Sequence, residues 1–223
     1  MAIDFVQATG GRQDNSTSAA TGAFPANVTT GNLIVVCIQL YNSTTLTCTV
    51  TDSQGNTYTQ VGSYQNQSPF RAAMFYAKNV TGGANTVTVT PSTTSYTRFI
   101  AAEYSGADTT SPLDSSAVNA QSSTQAITTG TITVNNTGSL LISATALSSV
   151  QLEFRAGAGA CVRGTSYAIG PGAIMQDKPA SAASSVGLTY FTNVNTATVG
   201  ASFKPASAGG GGGASSARIF NGM

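Results

Sequence analysis

The side chains that could do chemistry are few in this chain. Histidine is absent, so the commonest general base and transition-metal ligand is missing, and Ser-His-Asp and Cys-His catalysis are excluded. The acidic residues are scattered: Asp4, Asp14, Asp52, Glu103, Asp108, Asp114, Glu153 and Asp177. A glycoside hydrolase needs two carboxyl groups about 5–10 Å apart, and no spacing in the sequence predicts such a pair. We therefore expect no catalytic residues and a protein that is not an enzyme.

No motif indicates a metal or a cofactor either. Asp108 and Asp114 share one loop and could bind Ca²⁺ together with backbone carbonyls. Their spacing is not that of a DxDxDG-type calcium loop, which favours a turn-forming role for both, as for Asp52. The glycine run at residues 209–213 lacks the Gly-Lys-Ser/Thr ending of a phosphate-binding loop. The prediction is that the protein has no metal site and no cofactor.

Aromatic rings offer a different kind of site, since rings on a β-sandwich can stack on sugars. The chain has eight tyrosines. Tyr58 and Tyr64 follow a turn at Gly55, and they are the candidates for stacking on a glycan. The alternative for these and the other tyrosines is a core or sheet-edge position, which suits a ring with a polar tip.

Three cysteines are present, so a complete set of intrachain disulfides is impossible. Side chains alternate along a strand, and this places Cys37 on the face opposite Ile38, while Cys48 lies on the apolar face of the next strand. If these strands pair as a hairpin, the two sulfurs point to opposite faces, which disfavours a bridge. We predict that all three, Cys161 included, are small buried side chains; intermolecular cross-linking is the alternative.

Composition limits the class of partner. Only 8% of the residues are charged and the net charge is +1, which predicts no nucleic acid and no membrane as partner. Ser, Thr, Asn, Gln and Gly must cover the surface, as is common in extracellular and virion-exposed proteins. The N-terminus shows neither a basic region nor an apolar run of a secretory signal. A phage structural protein made in the host cytoplasm fits this combination; a cleaved leader or another export route would also fit.

The fold is predicted from one apolar stretch. Residues 31–41 are rich in β-branched residues and too short to span a membrane as a helix, so they predict a strand buried on both faces. Roughly ten shorter strands surround it, several alternating strictly between Thr and apolar residues. No segment shows a capped helical pattern. We predict an all-β fold, an antiparallel β-sandwich of jelly-roll-like topology.

Several boundaries are predicted from polarity. The sequence predicts a polar loop at residues 10–19 and a long polar connection at residues 105–125 that crosses between sheets. Arg98 and Glu103 are expected near the ends of their strand. Further predictions are a glycine-rich loop flanked by short strands at 156–173, a strand end or loop at 175–179, and two final strands at 186–192 and 196–203.

Two features concern domain organisation. Residues 136–142 echo residues 29–35, a faint repeat that indicates a second half built like the first. We predict a β-sandwich domain over residues 1–206, a flexible Gly/Ser/Ala linker over 207–217 and a C-terminal docking peptide over 218–223. Arg218, Ile219 and Phe220 would dock onto a neighbouring subunit; a disordered terminus is the alternative.

Six blocks of strand-and-turn sequence resemble a jelly-roll-like β-sandwich domain family of phage virion and bacterial surface proteins. The blocks are residues 31–36, 50–59, 75–80, 83–89, 103–108 and 201–205. The resemblance covers roughly residues 1–206 and leaves out the tail. It implies a β-sandwich, sometimes described as carbohydrate-binding-like, and supplies no catalytic residues.

The leading hypothesis is a non-enzymatic phage virion protein, a capsid decoration or cement protein on the particle surface. Its partners would be the major capsid protein and other copies of itself, as a homo-oligomer, with a trimer as the first guess. The alternatives are a carbohydrate-binding module, a receptor-binding fibre or spike component, and a bacterial surface or filament subunit outside the cell.

Overall fold

In a computed structural model, the described parts of the chain are residues 2–148, 154–167, 172–180 and 182–207. They form fifteen strands and no helix, so no described helix could span a membrane. Every strand pairing is antiparallel. The strands are β1 (Asp4–Ser16), β2 (Ala20–Ala23), β3 (Leu33–Tyr41), β4 (Cys48–Asp52), β5 (Thr59–Gln60), β6 (Gln65–Gln67), β7 (Phe70–Ala77), β8 (Thr86–Pro91), β9 (Ser95–Ser105), β10 (Leu113–Thr128), β11 (Ser139–Leu147), β12 (Phe154–Ala156), β13 (Cys161–Tyr167), β14 (Gly172–Ala180) and β15 (Gly187–Phe203).

Three sheets result, and each comes from one half of the chain. The N-terminal main sheet has the order β1-β9-β3-β7-β5, with β6 also on β7. The small sheet has the order β2-β8-β4, so the first half alternates between two sheets as in a jelly roll. The C-terminal main sheet has the order β10-β15-β11-β14-β13, with β12 also on β15. The predicted all-β, antiparallel sandwich is confirmed.

The apolar stretch at residues 31–41 is buried on both faces, as predicted. In β3, Val35 and Cys37 face the inter-sheet core, the apolar layer between the two main sheets. Ile34 and Val36 face a second apolar layer beneath the small sheet. Since β3 lies between two layers, it lacks the polar face that a half-exposed strand would have; its one buried amide, Gln39, donates to the Leu147 carbonyl at 2.8 Å.

The two halves of the chain share one topology. When the five main strands of each half are numbered in chain order, both main sheets have the order 1-5-2-4-3. The small sheet also has a counterpart in the second half, where residues 126–128 and 154–156 pair on either side of the start of β15. The bridge Val28–Gly83 in the first half corresponds to Ile132–Ser184 in the second. The faint repeat in the sequence marks equivalent strands, β3 and β11, which lie at the middle of their sheets.

The two halves pack main sheet on main sheet around a pseudo-two-fold axis. The middle strands β3 and β11 contact each other, and each edge strand lies against the short strand of the other half: β1 against β13, and β10 against β6. We call these two lines of contact the β1–β13 seam and the β10–β6 seam. Because β5 and β6 both pair with β7 as β13 pairs with β14, the two seams occupy equivalent positions in the two halves.

Two polar stretches predicted as connections are strands instead. The loop predicted at residues 10–19 is wrong over most of its length, because β1 continues to Ser16. Buried Arg98 pairs with Asp14 and donates a 2.8 Å hydrogen bond to the carbonyl of Gln13, which fastens this stretch to β9. The connection predicted at 105–125 is mostly β10, an edge strand with small polar side chains that pairs along β15.

Three further boundaries differ from the prediction in the second half. The two final strands predicted at 186–192 and 196–203 are one strand, β15. The strand end or loop predicted at 175–179 lies inside β14, and β13 occupies the middle of the glycine-rich stretch. Polar and glycine residues are tolerated in these strands because their backbone groups hydrogen-bond to neighbouring strands rather than to water.

Arg98 and Glu103 do lie within three residues of the ends of their strand, but neither side chain is exposed there. β9 extends beyond both, and the two side chains are 1% and 0% exposed. Burying a charge is costly unless hydrogen bonds replace water, and both side chains have such partners: Asp14 and Gln13 for Arg98, and Gln7, Thr29 and Asn32 for Glu103.

The cysteines are free thiols in three different environments. Cys37 is buried in the inter-sheet core, and Cys48 is half-buried against the layer beneath the small sheet, so the two do face apart. The reason is not a hairpin, because β3 and β4 lie in different sheets. Cys161 is exposed at the start of β13, which corrects the prediction that all three are buried.

We predict that one thiol of the native protein reacts with a maleimide reagent, because Cys161 alone of the three is exposed. Burial raises the pKa of the Cys37 thiol strongly and that of the Cys48 thiol to about 11, so both are poor nucleophiles at neutral pH. Mass spectrometry should find one label under native conditions and three in denaturant. Cys161→Ser should abolish native labelling; labelling of Cys37 without denaturant would contradict the fold.

Candidate functional site

Tyr58 belongs to a turn organised by one carboxylate. Asp52, at the end of β4, accepts hydrogen bonds from the Gln54 and Asn56 amides at 3.1 and 3.0 Å. Three side chains also donate to it: Asn56 at 2.8 Å, Asn85 at 2.9 Å and the Tyr58 hydroxyl at 3.0 Å. The turn predicted at Asp52 therefore exists, and Tyr58 is one of the groups that fix it.

These contacts shift the pKa values of both Asp52 and Tyr58. Partial burial raises the pKa of Asp52, but hydrogen bonds from Asn85, Asn56 and Tyr58 outweigh this and hold it below its ordinary value of 3.8. Burial and the neighbouring Asp52 carboxylate raise the pKa of Tyr58 far above its usual range. The phenol is thus a permanent hydrogen-bond donor, with no role as an acid or base near neutral pH.

Tyr64 is held in place by a cationic side chain and by a main-chain amide. The Arg71 guanidinium lies 4.1 Å from the centre of the Tyr64 ring, and the Phe75 ring meets it edge-on at 6.5 Å. The Tyr64 hydroxyl accepts a 2.9 Å hydrogen bond from the Cys48 amide. Burial, with the neighbouring Cys48, raises the pKa of Tyr64 to about 12. Arg71 donates in turn to the carbonyl of Leu46, so this cluster joins β4 to β7.

Both predicted glycan residues are therefore half-buried beside the layer under the small sheet. Tyr58 has its hydroxyl occupied, and Tyr64 has one ring face occupied by Arg71. Stacking of a sugar on either ring stays a prediction. The predicted docking residues Arg218, Ile219 and Phe220 lie outside the described residues, as does the linker beyond residue 207.

The β1–β13 seam contains a groove that the sequence did not indicate. Its volume is about 610 Å³, and peptide groups and hydroxyls line it, with one guanidinium. The lining residues are Gly10, Gly11, Arg12, Thr21, Thr165 and Ser166. Glycine is required at position 11, where a Cβ would lie 2.5 Å from the Thr21 carbonyl oxygen, and at position 22 on the facing strand, where a Cβ would lie 2.8 Å from the Gly10 carbonyl oxygen.

Two contacts mark the ends of this seam. Near the start of β1, the Arg163 guanidinium lies 4.3 Å from the centre of the Phe5 ring. Further along, the Ser166 hydroxyl donates a 3.0 Å hydrogen bond to the Gly11 carbonyl. Between and beyond these contacts, β1 has β9 as its one partner strand among the described residues, and β13 has β14.

A buried carboxylate fixes one side of the seam. Asp177, 1% exposed, accepts a 2.8 Å hydrogen bond from the Tyr104 hydroxyl and a 2.6 Å bond from Arg163. This joins β14, β9 and β13 across the inter-sheet core. Burial and the adjacent Asp177 charge raise the pKa of Tyr104, so its hydroxyl stays protonated as a donor. No pattern in the sequence indicated this cluster, because Tyr104 is 73 residues from Asp177 in the chain.

Among the described residues, acidic side chains serve structure rather than a common centre. Asp52, Glu103 and Asp177 lie in separate hydrogen-bonded clusters, and Asp108 accepts the Thr110 and Ser111 amides of its own turn. Asp114 accepts from Asn135 and Asn136 instead of sharing a loop with Asp108. No group of three or more potential metal ligands occurs in the described parts of the chain.

The Asp52 turn predicts a loss of stability in acid. Because the folded pKa is depressed, its contribution is present above the unfolded value and is lost as pH falls through the folded pKa. Asp52→Asn should lower stability at pH 7 by about 1–3 kcal/mol and should flatten the dependence on pH below about 4. Urea unfolding at several pH values measures both effects.

Thr51→Ala, exposed on the same strand and without a titratable group, is the matched control and should keep the wild-type slope. A slope in Asp52→Asn as steep as in the wild type would show that other carboxylates carry the acid sensitivity.

Comparisons of this chain with protein-family models, with curated proteins and with solved structures found no match. The resemblance to a family of phage virion and bacterial surface domains therefore stays a prediction. The functional proposal that follows rests on the fold and on the geometry of the site.

Proposed function

We propose that this protein is a non-enzymatic structural protein of a phage virion, which decorates the outer surface of the capsid as a cement protein. Its binding partners would be the major capsid protein and further copies of itself. The protein would be made in the host cytoplasm and would be located in the virion particle. The fibre or spike role and the bacterial surface role are the competing assignments.

The observation that best supports this proposal is that the reactive side chains are occupied in holding the fold together. Asp52, Glu103 and Asp177 are each occupied by donors that hold strands or turns together. The buried Arg98 is occupied in the same way by Asp14. The use of these side chains within the fold supports the proposal that the protein works through its shape and its surface contacts.

The outer surface supports the same assignment. On the small sheet the exposed face is a set of threonines in register across the three strands, while the valines between them face inward. These threonines are Thr21, Thr49, Thr51, Thr88 and Thr90. Such a neutral hydroxyl surface, together with 8% charged residues overall, favours contacts that depend little on ionic strength.

The tail supplies the proposed attachment. A glycine-rich linker leads to Arg218, Ile219 and Phe220, which gives apolar anchors on a flexible tether. A tethered peptide binds its site at an effective concentration of the order of mM. Engagement of a neighbouring capsid subunit by this peptide would add to whatever the folded body contributes.

The proposal predicts that the tail is needed for occupancy of the capsid. A chain ending at residue 207, and the double variant Ile219→Ser with Phe220→Ser, should bind undecorated capsids at least about tenfold more weakly, a loss of 1.4 kcal/mol or more. Sedimentation of capsids with bound protein measures this. Ser215→Ala with Ser216→Ala is the matched tail control.

Equal occupancy by all of these variants would exclude the tail as the attachment. Absence of binding by the wild-type protein to capsids, with binding to purified fibres or to bacterial cells instead, would exclude the decoration role.

A further inference from the structure

We propose that the small sheet of the C-terminal half is a lid, which opens as a unit while the rest of the molecule stays folded. The lid consists of residues 126–128, 154–156 and 187–190, and it covers the face of the C-terminal main sheet that is turned away from the inter-sheet core. The small sheet of the N-terminal half stays closed under the same conditions. The inference does not depend on the proposed function, because it concerns the isolated protein.

Strand register gives each position beneath the lid an equivalent beneath the N-terminal small sheet. Val36 follows the last residue of the sequence repeat in the first half, and Ser143 follows it in the second. Val36 pairs with Phe75 on β7, and Ser143 pairs with Gln176 on the equivalent strand β14. The layer that contains a valine and a phenylalanine in one half therefore contains a serine and a glutamine in the other.

The next row of the two sheets shows the same exchange. Two residues further along, Ile38 pairs with Phe99, whereas Thr145 pairs with Thr198. The layer beneath the N-terminal small sheet is accordingly one continuous apolar cluster, while the layer beneath the lid is divided into two small ones. Because the burial of apolar area is the main term that holds packed layers together, the lid is held less firmly.

Polar groups beneath the lid lack hydrogen-bond partners among the described residues. They are the Ser143 hydroxyl and both polar atoms of the Gln176 amide, on side chains that are 1% and 0% exposed. Their equivalents Val36 and Phe75 carry no such groups. A buried polar group without a partner destabilises the closed state, and contact with water on opening removes this cost. Hydration therefore favours opening beneath the lid and not at the equivalent place in the first half.

Polar contacts hold the lid closed. The Thr198 hydroxyl donates to the Thr128 carbonyl at 3.0 Å, and the Lys178 ammonium donates to the Ser184 hydroxyl at 2.6 Å, just before the lid segment of β15. A groove of about 300 Å³ opens beside Lys178 and reaches the lid. Because water can take over such hydrogen bonds, each contributes little net free energy to the closed state.

Opening of the lid exposes a neutral polar face. The Ser143 hydroxyl and the Gln176 amide are then free to bond groups of a partner, and neither is accessible in the closed state. The lid therefore controls access to the outer face of the C-terminal main sheet.

Thiol labelling compares the two layers directly. In a Cys161→Ser background, Ser143→Cys and Val36→Cys each place one thiol at equivalent positions beneath the lid and beneath the N-terminal small sheet. The thiol at position 143 should react with a maleimide at least about tenfold faster than the one at position 36, because local opening uncovers it. Each rate is divided by that of the same variant in denaturant, and peptide mapping by mass spectrometry locates the label.

The natural thiol of Cys37, buried in the inter-sheet core of both variants, is the reference for global unfolding. Labelling at position 143 should increase with urea less steeply than labelling of Cys37, since local opening exposes less surface than global unfolding. Equal labelling rates at positions 143 and 36 overturn the proposal. Equal urea slopes at position 143 and at Cys37 also overturn it, because position 143 would then be reached through global unfolding alone.

Changes to the contacts of the lid give a second test in the Ser143→Cys variant. Lys178→Met removes the ammonium of one holding contact and should speed labelling about threefold or more. Gln176→Met removes the unpaired amide with little change of shape and should slow labelling by a similar factor. Lys204→Met, which removes an ammonium outside the lid, is the matched control. The same rate in all three variants overturns the assignment of these groups to the lid.

Discussion

Two antiparallel sheets, one from each half of the chain, bury a single apolar layer between them, and the other features of the molecule depend on this packing. Val35, Met74, Ile142, Met175 and Phe203 are all fully buried there. Neither main sheet could hide this face from water alone. Because each half already covers the opposite face of its main sheet with its own short strands, the middle strands become buried on both sides.

This packing determines where charge is tolerated. Arg98, Glu103 and Asp177 lie in or beside fully buried strands, and each has several hydrogen-bond partners drawn from distant parts of the chain. Such groups destabilise a fold when a partner is missing. They therefore restrict register: a one-residue slip of β9 would take Glu103 away from Gln7 and Asn32, which lie in different segments.

The pseudo-two-fold arrangement also provides an internal comparison. Two equivalent seams are formed by the same pair of strand types. Gln67 donates to β10 at one seam, and Ser166 donates to the Gly11 carbonyl at the other, beside a groove lined by Gly10 and Gly11. Glycines at these positions allow β2 to approach β1 closely, as the contact of Gly22 with Gly10 shows.

The sequence by itself determined the fold class and the middle strand. Apolar residues on both faces of residues 33–40 indicate a strand between two layers, and alternation along that strand separates Cys37 from Ile38 and Val36. These are local properties, set by residue type and by a period of two. The candidate site was only partly predictable: the Asp52 turn was indicated, whereas the groove was not.

Tertiary structure alone decided the polar strands. Residues 10–16 and β10 have little apolar content and form strands because Arg98 holds the first against β9 and the long strand β15 pairs with the second. The same holds for the burial of Glu103, whose partners are 71 to 96 residues away in the chain, and of Asp177, whose partner Tyr104 is 73 residues away. Contacts at such separations leave no periodic signal in the sequence, so only the packing of the two halves brings them together.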